Sequence, residues 1–265
     1  MQRYRNFWKT QLQNQYICTK SCYESRNIII VLAALLLAAC SKGDRYLFQH
    51  YSFKETLPYT RGQEHPCYTF DIKAIYACGY DSVFNDGFNR DISEFLFDTA
   101  TTNVRAAMIS CIDRRIDNFR ENRDNDFEYF LRSEIGYGNH KDITNCDINI
   151  YEYWGGAHGG TIVACRNYHI EDGSVVTQDE YFMPGYKEAL IPVLDSLLLR
   201  HAGVTDRSQL DDNGYFSLQP MYVPEYFRIR QDSIDFIFNQ YEIAPYSTGI
   251  TTLTVAESDI RDLIR

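Results

Sequence analysis

Six consecutive residues, Gly155-Gly156-Ala157-His158-Gly159-Gly160, set one imidazole between two glycine pairs. Glycines let the backbone approach a ligand closely, and an imidazole at a loop tip can donate, accept or bind a metal. The same residues also describe a tight turn that needs positive φ, with His158 satisfying a nearby carbonyl. Trp154, Gly155, Gly156 and His158 are therefore ligand-contact candidates in a loop whose other reading is purely structural. A second stretch, Tyr241-Glu242-Ile243-Ala244-Pro245-Tyr246-Ser247-Thr248-Gly249, offers Tyr241 and Tyr246 as stacking surfaces and Glu242 as an anchor. Its alternative is a cross-over loop held by aromatic packing around Pro245. Glu152 and Glu242 would serve glycan hydrolysis only if ~5–9 Å apart. Cys146, His158, Cys165 and His169 lack the paired spacing of a zinc site. No cysteine stands in a pattern with a histidine that would make it a nucleophile. No catalytic, metal or cofactor role is assigned.

The chain has eight cysteines. If Gly155-Gly156 is a two-residue turn, the flanking strands pair so that Cys146 falls opposite Cys165, where a cross-strand disulfide can form. A longer loop shifts the register and removes that pairing. Cys111 lies on an apolar helix face and is expected as a free thiol. Cys40 has a different setting. Arg26-Asn27 precede an apolar run of 12 residues, Ile28 to Ala39, and the run ends in Leu37-Ala38-Ala39-Cys40-Ser41. A membrane-spanning helix needs about 20 apolar residues. A basic residue, a short apolar stretch and small residues before a cysteine have the layout of a bacterial lipoprotein signal. The expectation is cleavage before Cys40, a lipid on its thiol, and an outer-membrane location facing the periplasm.

Residues 1–40 are accordingly read as precursor, 41–64 as a tether and 65–265 as the folded domain. The chain holds 26 Lys+Arg against 36 Asp+Glu, and five of those bases and one of those acids precede Ser41, so residues 41–265 carry a formal charge of −14. That balance argues against nucleic acid and against electrostatic adhesion to anionic lipid, and suits a cationic partner. With 21 Tyr and 16 Phe, the composition fits a β-rich body whose rings have one apolar side and one wet tip.

The elements that must position these residues follow from periodicity. Tyr68, Phe70, Ile72, Ala74 and Tyr76 alternate with polar residues, as in a half-buried strand. Ile92, Phe95 and Leu96, then Val104, Met108, Cys111, Ile112, Ile116 and Phe119, mark two helical pieces, followed by a charged loop at 121–126. From Asp147 to Ile170 the period returns to two on either side of the glycine loop, and Asp172-Gly173 is a further turn. Pro184 opens a helix with a stripe of Leu190, Val193, Leu194, Leu197 and Leu198; Pro192 is expected to kink it and Gly203 to cap it. Strands at 226–230, 234–238 and 251–255 and a closing helix at 258–264 complete the pass. Hairpins without regular βαβ alternation predict an α+β fold: an antiparallel sheet with helices packed on one face in a two-layer sandwich.

Three segments carry a family resemblance: Tyr153-Trp154-Gly155-Gly156-Ala157-His158-Gly159-Gly160, Tyr168-His169-Ile170-Glu171-Asp172-Gly173-Ser174 and Phe238-Asn239-Gln240-Tyr241-Glu242-Ile243-Ala244-Pro245-Tyr246-Ser247-Thr248-Gly249. In that order and spacing they resemble the extracytoplasmic C-terminal domain of the lysozyme-sensing anti-sigma factor RsiV. A related domain accompanies some peptidoglycan deacetylases. The resemblance spans roughly residues 66–264 and implies a cell-wall-related partner, either a lysozyme-like hydrolase or a peptidoglycan fragment. Only 27 residues precede the apolar run, so an anti-sigma module is not expected, and no deacetylase metal module is found. The leading expectation is a non-catalytic, lipid-anchored envelope binding protein. A peptidoglycan-acting enzyme and a structural lipoprotein without a soluble ligand are the alternatives.

Overall fold

The computed structural model describes residues 45–58, 67–121, 127–136, 140 and 142–265. The lipoprotein signal and Cys40 lie outside them, and among the described residues no helix is long and apolar enough to cross a membrane. Residues 46–265 form one compact unit.

Strands β1 (Phe48–Pro58), β2 (Cys67–Ala77), β3 (Phe127–Ile135), β4 (Ile143–Tyr153) and β5 (Gly160–His169) lie side by side in that order in one sheet. All neighbours are antiparallel except β2 and β3, which run parallel. The chain makes that parallel connection through two helices, α1 (Ser82–Phe97) and α2 (Val104–Glu121). Asp81 starts α1 by accepting a hydrogen bond from the Phe84 N–H at 3.1 Å, and Asp98 ends it in a left-handed cap. The stripe Phe84, Phe88, Ile92 and Leu96 turns inward at four-residue spacing, and Val104, Met108, Cys111, Ile112 and Ile116 do so on α2. Both stripes pack on Phe70, Ile72, Phe127, Tyr129, Leu131, Cys146 and Ile148 from the sheet.

After β5 come α3 (Gln178–Tyr181) and α4 (Tyr186–Ala202). A second, antiparallel sheet follows, of β6 (Tyr226–Ile229), β7 (Ser233–Phe238) and β8 (Thr251–Ala256). Leu190, Leu194 and Leu198 of α4 form a second core with Phe182, Ile229, Ile234, Phe236, Leu253 and Val255. Gly203 caps α4 in the left-handed conformation, its N–H reaching Arg200 and Leu199 carbonyls. α4 runs unbroken through Pro192, because Pro192 sits on the exposed side and the carbonyl it cannot serve belongs to exposed Glu188.

The two sheets are joined through polar side chains. Even-numbered residues of β4 and β5 face the helices: Glu152 pairs with Arg115 of α2, while Arg166 and Tyr168 bond Asp91 of α1. Odd-numbered residues lie on the opposite face, where the second sheet covers Asn145, Asp147 and Asn167. The Asn145 and Asn167 amides donate to the Ile229 and Phe227 carbonyls at 2.9 and 2.8 Å, and Asn167 accepts from the Ile229 N–H. Arg228 bridges Asp147 and the buried Asp235, which also receives Arg230 and the Thr254 hydroxyl.

The α+β class is as expected, with three corrections of detail. The strands make two sheets, not one. Residues 48–58, assigned to a tether, are an edge strand: Phe48 packs on Phe84 and Phe88, Tyr51 stacks on Tyr76 at 4.2 Å and Phe53 meets Phe70. The closing helix is two separate 3-10 turns, Glu257–Asp259 and Arg261–Leu263.

Candidate functional site

The glycine loop connects β4 to β5 and spans six residues, 154–159, not two. The register therefore pairs Glu152 with Gly160, Cys146 with Arg166 and Asp147 with Cys165. That one-residue offset puts Cys146 on the helix side and Cys165 on the second-sheet side, so the expected disulfide does not form. Both are free buried thiols, as is Cys111, and burial pushes the Cys146 and Cys165 thiols far up. The same opposition of faces sets Cys146 apart from Cys165 and His169 among the four imagined zinc ligands, and His169 pairs with Glu180 at 2.9 Å.

The second candidate stretch is brought to this loop by side chains that stand in for a strand. Beside β5, Asn239 accepts from the Val163 N–H at 2.7 Å and donates to the Val163 carbonyl at 3.0 Å. Gln240 accepts from the Thr161 N–H at 3.1 Å. The chain then turns tightly: the Glu242 N–H donates to the Asn239 carbonyl and the Glu242 carboxylate accepts from the Asn239 N–H at 2.8 Å. Tyr241, at the corner, takes a left-handed backbone with φ 68° and stands 58% exposed.

Three of the candidates thus converge. The His158 ring lies on the Tyr246 ring with centroids 3.8 Å apart and planes 21° from parallel. Tyr241 completes the group, its ring centroid 6.0 Å from that of Tyr246. His158 Nδ1 is 2.9 Å from the Gly159 carbonyl, which can only accept, so the proton belongs on Nδ1. Nε2 is then left to accept from the Tyr241 hydroxyl at 3.4 Å. Gly159 lies close under the Tyr151 ring: a Cβ there would come 2.5 Å from it, and the ring would have to move aside. Gly156 is held by the Tyr153 hydroxyl, which donates to its carbonyl at 3.0 Å, and both Gly155 and Gly156 have positive φ.

The remaining candidates do other work. Trp154, though 40% exposed, turns to Phe127 at 4.3 Å. Glu242 is half-buried and anchors its own turn. Burial raises its pKa, the Asn239 N–H opposes that rise and the nearby Glu225 adds to it. Glu152 is engaged by Arg115, whose guanidinium also lies 4.0 Å over the Tyr129 ring.

Sequence reasoning did not single out Tyr151 and Phe130, yet they extend the group. They are register partners on β4 and β3, stacked at 5.5 Å and 17° on the face away from α1 and α2. The Tyr151 hydroxyl is pushed up by burial, then by Glu128 and by Tyr246, and a hydrogen bond involving the Gly159 backbone works against that. The signal was available in Phe127, Tyr129, Leu131 and Ser133, an alternating set of buried residues that marks β3 and leaves Phe130 to the other face.

No curated protein matches the sequence. Among solved structures, the fold resembles a member of the DUF3298 family from Bacteroides fragilis NCTC 9343 with a TM-score of 0.76 and 21% identity, over 85% of this chain and 96% of that one. It also resembles a DUF3298 family protein from Pseudomonas aeruginosa PAO1 with a TM-score of 0.64 and 14% identity, over 84% of this chain and 95% of that one. Residues 179–258, which include Tyr241, Glu242 and Tyr246 but not the glycine loop, match the family model described as a protein of unknown function, DUF3298.

Proposed function

We propose that this chain is a non-catalytic binding protein of the bacterial cell envelope, anchored through a lipid on Cys40 at the outer membrane and facing the periplasm. Its partner is cell-wall-related: a lysozyme-like hydrolase or a peptidoglycan glycan. The observation that carries the binding role is the convergence of His158, Tyr241 and Tyr246 from two segments 83 residues apart into one ring cluster with an exposed tyrosine. Large rigid rings with polar tips provide contact area at small entropic cost, as binding surfaces require. The left-handed Tyr241 backbone supports this reading, since a non-glycine residue held there costs roughly 1–2 kcal/mol. The envelope setting rests on the lipobox-like run and on the RsiV-like segments. The excess of acidic residues suits a cationic hydrolase.

The test is titration of the Ser41–Arg265 fragment with lysozyme by calorimetry at low and moderate salt, beside co-sedimentation with purified peptidoglycan. Saturable binding to either that persists at moderate salt is expected, weakened by roughly 2 kcal/mol in Tyr241→Ala, the scale of a central aromatic contact. Absence of binding to both would overturn the proposal.

A further inference from the structure

The cluster does not end at the glycine loop. Tyr151 lies against Gly159, the chain neighbour of His158, and stacks in turn on Phe130. Tyr241, His158 and Tyr246 on one side of Gly159 and Tyr151 and Phe130 on the other therefore form a strip of two ring groups that runs from the loop tip onto β4 and β3. All of them are half-buried or exposed. Beyond Phe130 the face becomes ionic: its register neighbour Asp71 is held between Lys54 at 3.1 Å and Arg132 at 2.7 Å. The strip thus has one open end at Tyr241 and a charged stop beyond Phe130.

We infer that this strip is a multi-subsite platform for a linear, uncharged or cationic amino-sugar polysaccharide, lying from Tyr241 across His158, Tyr246 and Tyr151 to Phe130. The inference rests on the binding role proposed above and names its ligand. Two properties select a saccharide strand. The C–H-rich face of a pyranose carries partial positive charge toward the negative face of an aromatic ring, while the tyrosine hydroxyls can bond its hydroxyl and amide groups. Two ring groups on either side of Gly159 offer separate stacking points, which a chain of repeating units can engage together and a compact headgroup cannot. Charge complementarity sets the sign: Glu128 adjoins Tyr151, Glu242 adjoins Tyr241 and the whole chain carries a net charge of −10, so a polyanion is disfavoured.

The experiment is titration of the Ser41–Arg265 fragment with N-acetylglucosamine oligomers of two to six units, beside lysozyme on the same preparation. Affinity should rise about tenfold from the dimer to the hexamer as the distal rings are engaged. Phe130→Ala should abolish that gain and leave the dimer unchanged, whereas Tyr241→Ala should weaken every length. Phe130→Tyr, which keeps the ring, should restore the length dependence and so separates lost stacking from lost folding. Binding that does not depend on length would overturn the platform. Lysozyme binding without oligomer binding would overturn this inference and leave the envelope-binding role intact. Failure of both ligands would overturn this inference, and failure of purified peptidoglycan as well would overturn the binding role.

Discussion

Tyr241 is one of two non-glycine residues with positive φ among the described residues, and the two differ in purpose. Asp98 closes a helix, a common use of the left-handed region. Tyr241 closes nothing that a glycine would not close more cheaply, and its ring is spent on the surface beside His158. The strain and the exposure together mark a residue kept for contact. Replacing it separates the two contributions. Tyr241→Gly and Tyr241→Ala both remove the ring, but only glycine relieves the backbone. The glycine variant should be more stable than the alanine variant by about 1 kcal/mol, while both lose the proposed ligand equally. Urea unfolding of the two variants measures this, and equal midpoints would mean that the turn relaxes without cost. The sequence singled out Tyr241, Tyr246 and His158 by residue type. It could not show that they touch, because Asn239 and Gln240 bring them together with side-chain hydrogen bonds to β5, which no hydrophobic period records.

At the scale of elements, the loop is only as well placed as β4 and β5, and α1 holds β5 in two ways. Asp91 of α1 engages Arg166 and the Tyr168 hydroxyl, the latter at 2.7 Å. Further along, α1 touches the turn that follows β5 backbone to backbone. A Cβ on Gly173 would lie 2.6 Å from the Phe88 nitrogen and strike the Phe84 carbonyl, and Gly87 of α1 faces Asp172 just as closely. Gly173 also has φ +70°. Gly173→Ala should therefore cost about 3 kcal/mol, combining left-handed strain with overpacking against backbone that cannot move aside. Gly203→Ala is the control: it has similar φ but open space around it and should cost only about 1 kcal/mol. Chemical denaturation of the pair checks the ordering, and equal losses would remove the close approach as a constraint. Asp172-Gly173 is legible in sequence as a turn; its contact with Gly87 is not, because the two are distant in the chain. The offset that undid the Cys146–Cys165 pairing has a similar origin. Two strands flanking glycines were legible, but the loop length, and hence the register, depended on Tyr151 and Tyr153 packing against Gly159 and Gly156.

For the molecule as a whole, the decisive difference between sequence and structure is where the folded body begins. Residues 46–58 carry Tyr46, Phe48, Tyr51 and Phe53, which look scattered because each is only half-buried on an edge strand and the inward face changes along it. β2 was legible because one of its faces packs on α1 and α2, so Phe70, Ile72 and Ala74 alternate strictly with polar residues. β1 nevertheless covers β2 along its full length and closes the aromatic cluster at Phe84 and Phe88. Four half-buried aromatic side chains, at roughly 1 kcal/mol each or more, amount to about 4–6 kcal/mol. A domain of this kind has only about 5–15 kcal/mol in total. A fragment starting at Tyr46 should therefore unfold in one cooperative transition. A fragment starting at Tyr59 should lose that transition or associate through the bared edge of β2, since an unpaired strand with an apolar face recruits another. Thermal unfolding followed by circular dichroism, with light scattering for association, distinguishes the two. Equal midpoints for both fragments would return residues 46–58 to the role of a tether. A lower midpoint would make β1 part of the support for the face on which Phe130 and Tyr151 lie, because β2 connects β1 to β3 and any loosening at that edge reaches the strip through a single strand.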